Sequence, residues 1–231
     1  MRASEVDLRS RYDRVLERVA QAAKRAGRDL AEVEVVAVAK TFPADVVLAA
    51  IDQGIEVIGE SRAQELRDKY AVVGGRARWH FVGHVQTNKV RQVVGVAELI
   101  HSVDRIGLAE AIARRAKSLG SVQEVLIEVN IARESAKHGA DPATAVTFAR
   151  DVARLDGIQV RGLMAMAPFS EDPEQSRPYF AELAELKDQV ASTVDGVDHI
   201  SMGMSRDFEV GVEEGATLVR VGEAIFGPRS K

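Results

Sequence analysis

The chain has 231 residues, 31 basic and 35 acidic side chains, a net charge of −4 and no cysteine. A hydrophobic fraction of 46% with 29% charged residues fits a globular protein, and the lack of cysteine excludes disulfides, thiolate metal sites and a cysteine nucleophile. The acidic balance argues against broad nucleic-acid binding, no apolar run approaches the ~20 residues of a membrane span, and the charged N-terminus MRASEVDLRSRYDR lacks the apolar centre of a signal peptide, so a cytoplasmic protein is expected.

The spacing of Leu8, Tyr12, Val15, Leu16, Val19 and Ala23 predicts a helix from about Val6 to Ala26, stopped by Gly27. Residues 33–39 (VEVVAVA) are too densely apolar for one half-exposed face and read as a strand buried on both sides, as in a parallel sheet. A helix opened by Pro43 and closed by Gly54 leads to IEVIG at 55–59, and a helix over 63–73 leads to WHFVG at 79–83. A helix over 87–94 leads to AELIHSV at 97–103, and one over 105–119, ended by Gly120, leads to VQEVLIEVN at 122–130. Asp141-Pro142 starts a helix to about Leu155, followed by IQVRGLM at 158–164. A helix over 173–194, with Tyr179, Leu183, Leu186 and Val190 on one stripe, leads to VDHIS at 197–201. A short helix near 207–214 precedes ATLVRVG at 216–222.

Eight apolar runs alternating with helices imply parallel strands with helical crossovers. The reading is a single (β/α)8 TIM barrel with an extra N-terminal helix, one domain over residues 1–231. A doubly wound open sheet is disfavoured, because the count is eight and no nucleotide fingerprint follows the first strand. Chemistry in such a barrel sits where strands end and the following loops begin.

Lys40 stands at such a place, directly after VVAVA. Either it reaches solvent as an ordinary strand-end lysine, or desolvation leaves a neutral amine able to attack an aldehyde. The segment HISMGMSRDFEVGVEEG (199–215) places Ser201, Gly203 and Ser205 before a short helix. Hydroxyls and backbone N–H groups there make either an anion site or a plain capped turn. Gly222, at the end of the eighth strand, permits close backbone approach. A ligand carrying both aldehyde and phosphate is pyridoxal 5′-phosphate (PLP). Arg220, between Val219 and Val221, must find a partner. That partner is a neighbouring carboxylate or the pyridine nitrogen, which an arginine would leave unprotonated. His80 and His84 are four apart, but Gly83 and the strand-to-loop context argue against a helical metal pair, and no carboxylate stands at a supporting spacing. No metal site is therefore expected. His101 and His199 read as satisfied structural histidines around the barrel rim, and His138 as a solvated loop residue.

The stretches VAVAKTFP (36–43), GESRAQE (59–65), WHFVGHVQTNK (79–89), IHSVD (100–104), EVNIARESAKHG (128–139), GLMAMAP (162–168), SMGMSRDFE (201–209) and VRVGEAIFG (219–227) occur in order along the chain. Together they resemble the pyridoxal phosphate homeostasis protein family, which is related to the N-terminal barrel domain of alanine racemase. The resemblance implies PLP held as a Schiff base on Lys40, with Arg220 facing the pyridine nitrogen. It implies a phosphate site from Ser201 or Ser205 with the backbone of Gly222 and Glu223, in a loop lined by Met202 and Gly203. One departure stands at Gly59-Glu60-Ser61-Arg62. The family usually has Gly-Glu-Asn and an aromatic residue there, so Ser61 takes the place of an asparagine near the cofactor ring. The implied role is a monomeric carrier that stores, protects or delivers PLP, with recipient PLP-dependent enzymes as partners. An amino-acid racemase is the alternative. The racemase resemblance would require an opposing tyrosine from a C-terminal β domain, which this sequence is expected to lack. Tyr12, Tyr70 and Tyr179 lie on no predicted strand end, so the carrier is the expectation.

Overall fold

A computed structural model describes residues 5–134 and 137–228. Eight parallel strands, β1 (Glu34–Val38), β2 (Val57–Glu60), β3 (Arg78–Phe81), β4 (Leu99–Val103), β5 (Gln123–Val129), β6 (Ile158–Ala165), β7 (His199–Met204) and β8 (Leu218–Val221), close into a barrel in chain order. The closing pair is β1 with β8, with Ala37 opposite Val221. Helices α2 (Ala44–Ile51), α3 (Ala63–Val73), α4 (Val90–Val93), α5 (Ile106–Ser118), α6 (Ala145–Ala153), α7 (Arg177–Ala191), α8 (Phe208–Glu213) and α9 (Glu223–Phe226) each follow one strand, and α1 (Glu5–Arg25) precedes the barrel. This is the predicted (β/α)8 architecture with its extra helix.

The strand pleat divides the apolar residues into two layers. Along β1, Val35 and Ala37 join the core between strands and helices, whereas Val36 and Val38 point inward. Inside the barrel they meet Val57, Leu99, Leu126, Met164 and Leu218. Burying each such side chain contributes about 1.5–3 kcal/mol, which is why residues 33–39 carry apolar residues of both parities.

Helix α1 buries Leu8, Val15, Val19 and Ala23, the predicted face. It packs on α8 and α9. Those helices have only six and four residues, so α1 covers apolar surface that full-length crossover helices would otherwise cover. Arg18 makes a two-pronged bond to Glu209 (2.7 and 2.8 Å), and Arg25 pairs with Glu213 at 2.6 Å.

Several element boundaries differ from the sequence reading for local reasons. The helix expected over 87–94 is a 3-10 turn, Thr87–Lys89, followed by the single turn α4. Helix α6 begins at Ala145, because Asp141 first folds a turn: its carboxylate accepts from Ala143 N and its carbonyl from Thr144 N. The helix expected over 173–194 splits into a 3-10 turn, Pro173–Ser176, and α7. Strand β7 continues to Met204 through a register shift against β8 between Ser201 and Met204. Among the described residues, no helix is long and apolar enough to cross a membrane.

Candidate functional site

One pleat beyond the inner apolar layer, the barrel interior turns polar. Leu99 is followed by His101, Leu126 by Glu128 and Leu218 by Arg220, and all three polar side chains are buried. On β1, Lys40 lies two residues beyond Val38 and is half-buried. Ala39 N still donates to Gly59 O (2.9 Å), so sheet pairing persists up to the residue before the lysine. Period-two alternation thus gathers at the C-terminal end of the barrel the residue types that the chain excludes from its middle.

Arg220 is held by three acceptors. One guanidinium nitrogen donates to Ser201 O (3.0 Å) and to Ser201 Oγ, and the other donates to Ala165 O (2.9 Å). Burial pulls its pKa down to about 10, with Glu128 and Asp207 opposing, so it stays protonated at neutral pH.

The Ser201 hydroxyl also lies 3.0 Å from His101 Nδ1, and His101 Nε2 lies 3.1 Å from His80 Nδ1. Arg220 can only donate, so Ser201 Oγ accepts from it, and the hydroxyl, His101 and His80 form one connected polar chain leading from the guanidinium. Burial keeps both rings neutral, with the His80 pKa lowered to about 4 and that of His101 lowered well below the usual value.

Two buried polar atoms of this layer lack partners, His80 Nε2 and Glu128 Oε2. Burial, and secondarily the charge of Asp104, raises the Glu128 carboxyl to about 7 against the pull of Arg220. Buried polar atoms rarely go unsatisfied, so a layer with such orphans suits a polar guest.

The loop after β7 departs from its expected role in three ways. Ser201 does not present its hydroxyl to the loop, because Arg220 and His101 occupy it. Met202 buries its side chain in the helix-facing core, so only its backbone reaches the loop. The start of α8 is taken by Asp207, whose carboxylate accepts from Met204 N (2.7 Å) and from the Ser176 hydroxyl (3.0 Å). Gly203, at φ +85°, and half-buried Ser205 remain at the loop.

Gly222 packs against β1: a Cβ added there would lie 3.1 Å from Val38 O. This close approach sets the start of α9, with exposed Glu223, beside the strand that carries Lys40. Ser61, half-buried at the end of β2, donates its N–H to Glu60 Oε2 at 3.1 Å.

The histidines fall in different settings, and only His101 departs from its expected place. His101 lies inside the barrel rather than on its rim. His199 opens β7, at the end opposite the polar layer, with its ring 3.4 Å from the Thr217 hydroxyl. His138 is exposed but stacks on His84, with ring centroids 3.8 Å apart.

Lys69 is the residue that sequence reasoning missed. It is buried on α3, donates to Ala39 O at 2.8 Å and pairs with buried Glu60. Burial pushes the Glu60 carboxyl up, and Lys69 opposes this. Next to it, Glu65 accepts from Thr41 N at 2.8 Å. The two residues flanking Lys40 are therefore fastened to α3 and β2, and Thr41 is held at φ +71°, rare for a non-glycine residue. A signal was present: Leu66, Lys69 and Val73 share one helical stripe, which puts a lysine on the buried face.

The alanine racemase N-terminal domain profile matches residues 11–230. The chain is 43% identical to the pyridoxal phosphate homeostasis protein of Aquifex aeolicus, over 95% of this chain and 97% of that one. It belongs to the pyridoxal phosphate homeostasis protein family. The family member from Escherichia coli is 36% identical over 96% of this chain and 97% of its own. Among solved structures, PipY of Synechococcus elongatus with PLP bound superposes with a TM-score of 0.79 at 32% identity, covering 92% of this chain and all of that one (100%). Alanine racemase of Clostridium difficile, at 15% identity and a TM-score of 0.70, shares the fold over 94% of this chain and 57% of its own length. This chain thus combines the barrel of that fold with the polar layer described above.

Proposed function

We propose that this chain is a PLP carrier of the cytoplasm, a monomer with one barrel domain that stores, protects or delivers the cofactor to PLP-dependent enzymes. The observation that carries this reading is the juxtaposition of half-buried Lys40 with Gly222 and buried Arg220 at one end of the barrel. Lys40 would hold the aldehyde and Arg220 the ring nitrogen. Ser205 and the backbone of Gly203, Gly222 and Glu223 would hold the phosphate. Ser61 would approach the ring in place of the family asparagine. Ser201 and Met202 serve this site indirectly, the first by fixing Arg220 and the second by anchoring the loop in the core.

When bound, PLP supplies an aldehyde that captures amines and a ring that withdraws electrons from them. The protein supplies position. The bonds from Lys69 to Ala39 O and from Thr41 N to Glu65 fix the backbone on both sides of Lys40. Arg220 donates a hydrogen bond and yields no proton, which limits how far the ring draws electrons.

The phosphate assignment predicts that pyridoxal without its phosphate binds more weakly by about 2–5 kcal/mol, as several charge-assisted hydrogen bonds are lost. Competition titrations followed by absorbance measure this difference, and equal affinities would exclude the phosphate site.

A second reading, amino-acid racemase, draws on the place of Glu128, a buried carboxyl in the polar layer whose Oε2 has no hydrogen-bond partner and whose pKa burial pushes up. For a carrier, α-proton exchange of L-alanine in deuterated water stays far below roughly 1 s⁻¹, the low end of ordinary turnover. Exchange with inversion above that rate, lost in both Lys40→Ala and Glu128→Gln, would establish the racemase instead.

A further inference from the structure

Three side chains from three separate loops converge at the C-terminal end of the barrel, outside the groups assigned to PLP. His84 follows β3, Asp104 follows β4 and His138 lies in the loop after β5. One ligand atom from each lies within 4.8 Å of the others. Asp104 Oδ2 is 3.6 Å from His84 Nδ1 and 3.7 Å from His138 Nδ1. These separations are too long for hydrogen bonds, and His84 Nδ1 is buried with no hydrogen-bond partner. They are close to the edge of a tetrahedral site: ligands about 2.0–2.1 Å from zinc stand roughly 3.4 Å apart.

The carboxylate is divided between two tasks. Its Oδ1 is held by Arg105 at 2.6 Å, and Arg105 is itself anchored on Val85 O at 3.2 Å. That leaves Oδ2 turned to both imidazoles. An oriented carboxylate of this kind is what an outer-sphere partner provides in metal sites.

Both histidines stand on fastened backbone. Beside His84, the Ser102 hydroxyl donates to Gly83 O at 2.5 Å. Beside His138, Gly139 sits at φ +120° against Asn130, where any Cβ would collide with the backbone. The adjoining Ala140 is paired into β5 through Glu128 O (2.7 Å) and Asn130 N (2.9 Å). The stacked rings, 15° from parallel, therefore rest on supports that hold them together.

We propose that His84, Asp104 and His138 form a divalent-cation site of the zinc class, with three protein ligands and at least one position open to solvent or an exogenous ligand. Two imidazoles and one carboxylate favour zinc, cobalt or nickel over magnesium and calcium, which prefer all-oxygen shells. No carboxylate at a supporting spacing is visible in the sequence, because the three ligands come from positions 84, 104 and 138 and meet only when β3, β4 and β5 lie side by side. A bound ion would join the three loops, close to the polar layer that carries Glu128 but through other side chains.

The test is calorimetric titration of the full chain, stripped of metal with a chelator, against zinc chloride, in both PLP-free and PLP-loaded forms. One zinc per chain is expected, with micromolar affinity, weakened at least tenfold in His84→Ala, in His138→Ala and in Asp104→Asn. Cobalt substituted for zinc should give the strong visible absorption of a four- or five-coordinate ion, and excess magnesium should not displace either metal. The histidine variants should still capture PLP on Lys40 at the wild-type level, which reports that they fold. Zinc affinity unchanged in either histidine variant would place the ion elsewhere and overturn the proposal. So would the absence of saturable zinc uptake by the wild-type chain.

Discussion

Wild-type protein incubated with PLP and reduced with borohydride carries one pyridoxyl group, on the peptide containing Lys40, and Lys40→Ala carries none. The expectation rests on position. Lys40 is two residues beyond the inward-facing Val38, at the mouth of a barrel whose interior below it is apolar. The rival amines lie in other settings: Lys137 is in the loop after β5, and Lys89 closes the 3-10 turn after β3. Gly222 and Arg220 reach this end of the barrel from β8, the strand hydrogen-bonded to the one that Lys40 follows. Peptide mass spectrometry after reduction reads the outcome. A label on Lys89 or Lys137, with none on Lys40, would refute the assignment.

Lys69→Met lowers stability by about 3–5 kcal/mol, the cost of leaving one partner of a buried ion pair uncompensated. The stranded group is Glu60, fully buried at the end of β2, while Lys69 itself is 6% exposed. For a chain of this length, the loss corresponds to a fall in Tm of roughly 6–20 °C. The double variant Lys69→Met/Glu60→Gln should recover much of it, since no buried charge then remains unpaired. The same bond from Lys69 fixes Ala39 O beside Lys40. PLP capture in the double variant should therefore remain slower than in the wild type, even where its stability has been restored. Thermal denaturation and stopped-flow absorbance separate the two effects. A Lys69→Met protein with wild-type Tm would mean that water reaches Glu60 and that the pair contributes little.

The fold was legible because barrel physics writes itself into the order of residues. Strands buried on both faces need apolar residues at both parities, as in VVAVA, and helices packed on the barrel need a stripe, as on the extra helix α1 and the crossover α7. Lys40 and Arg220 stood out for the same reason, each being a charged residue next to an apolar run. The family motifs added their identities, including the place of Ser61.

Other features depended on distances that no spacing encodes. Ser201 and Ser205 look alike along the chain. The barrel separates them by turning Ser201 inward to Arg220 and His101 and leaving Ser205 in the loop. Met202, one residue from Ser201, faces the opposite way because strand side chains alternate. The carboxylate of Asp207 folds back on Met204 N at the end of that loop, a choice made by loop geometry rather than by residue type. The stripe of Leu66, Lys69 and Val73 puts Lys69 on a buried face, but its pairing with Glu60 arises only when β2 and α3 pack together. Likewise His84, Asp104 and His138 become neighbours only through the closure of the sheet. Local pattern determined which residues are buried and in what order the strands run. The tertiary structure decided which polar groups meet, because contacts across a barrel join positions 20 to 180 residues apart, such as His80 with His101 and Lys40's strand with that of Arg220, and buried polar groups are stable only where such partners are found.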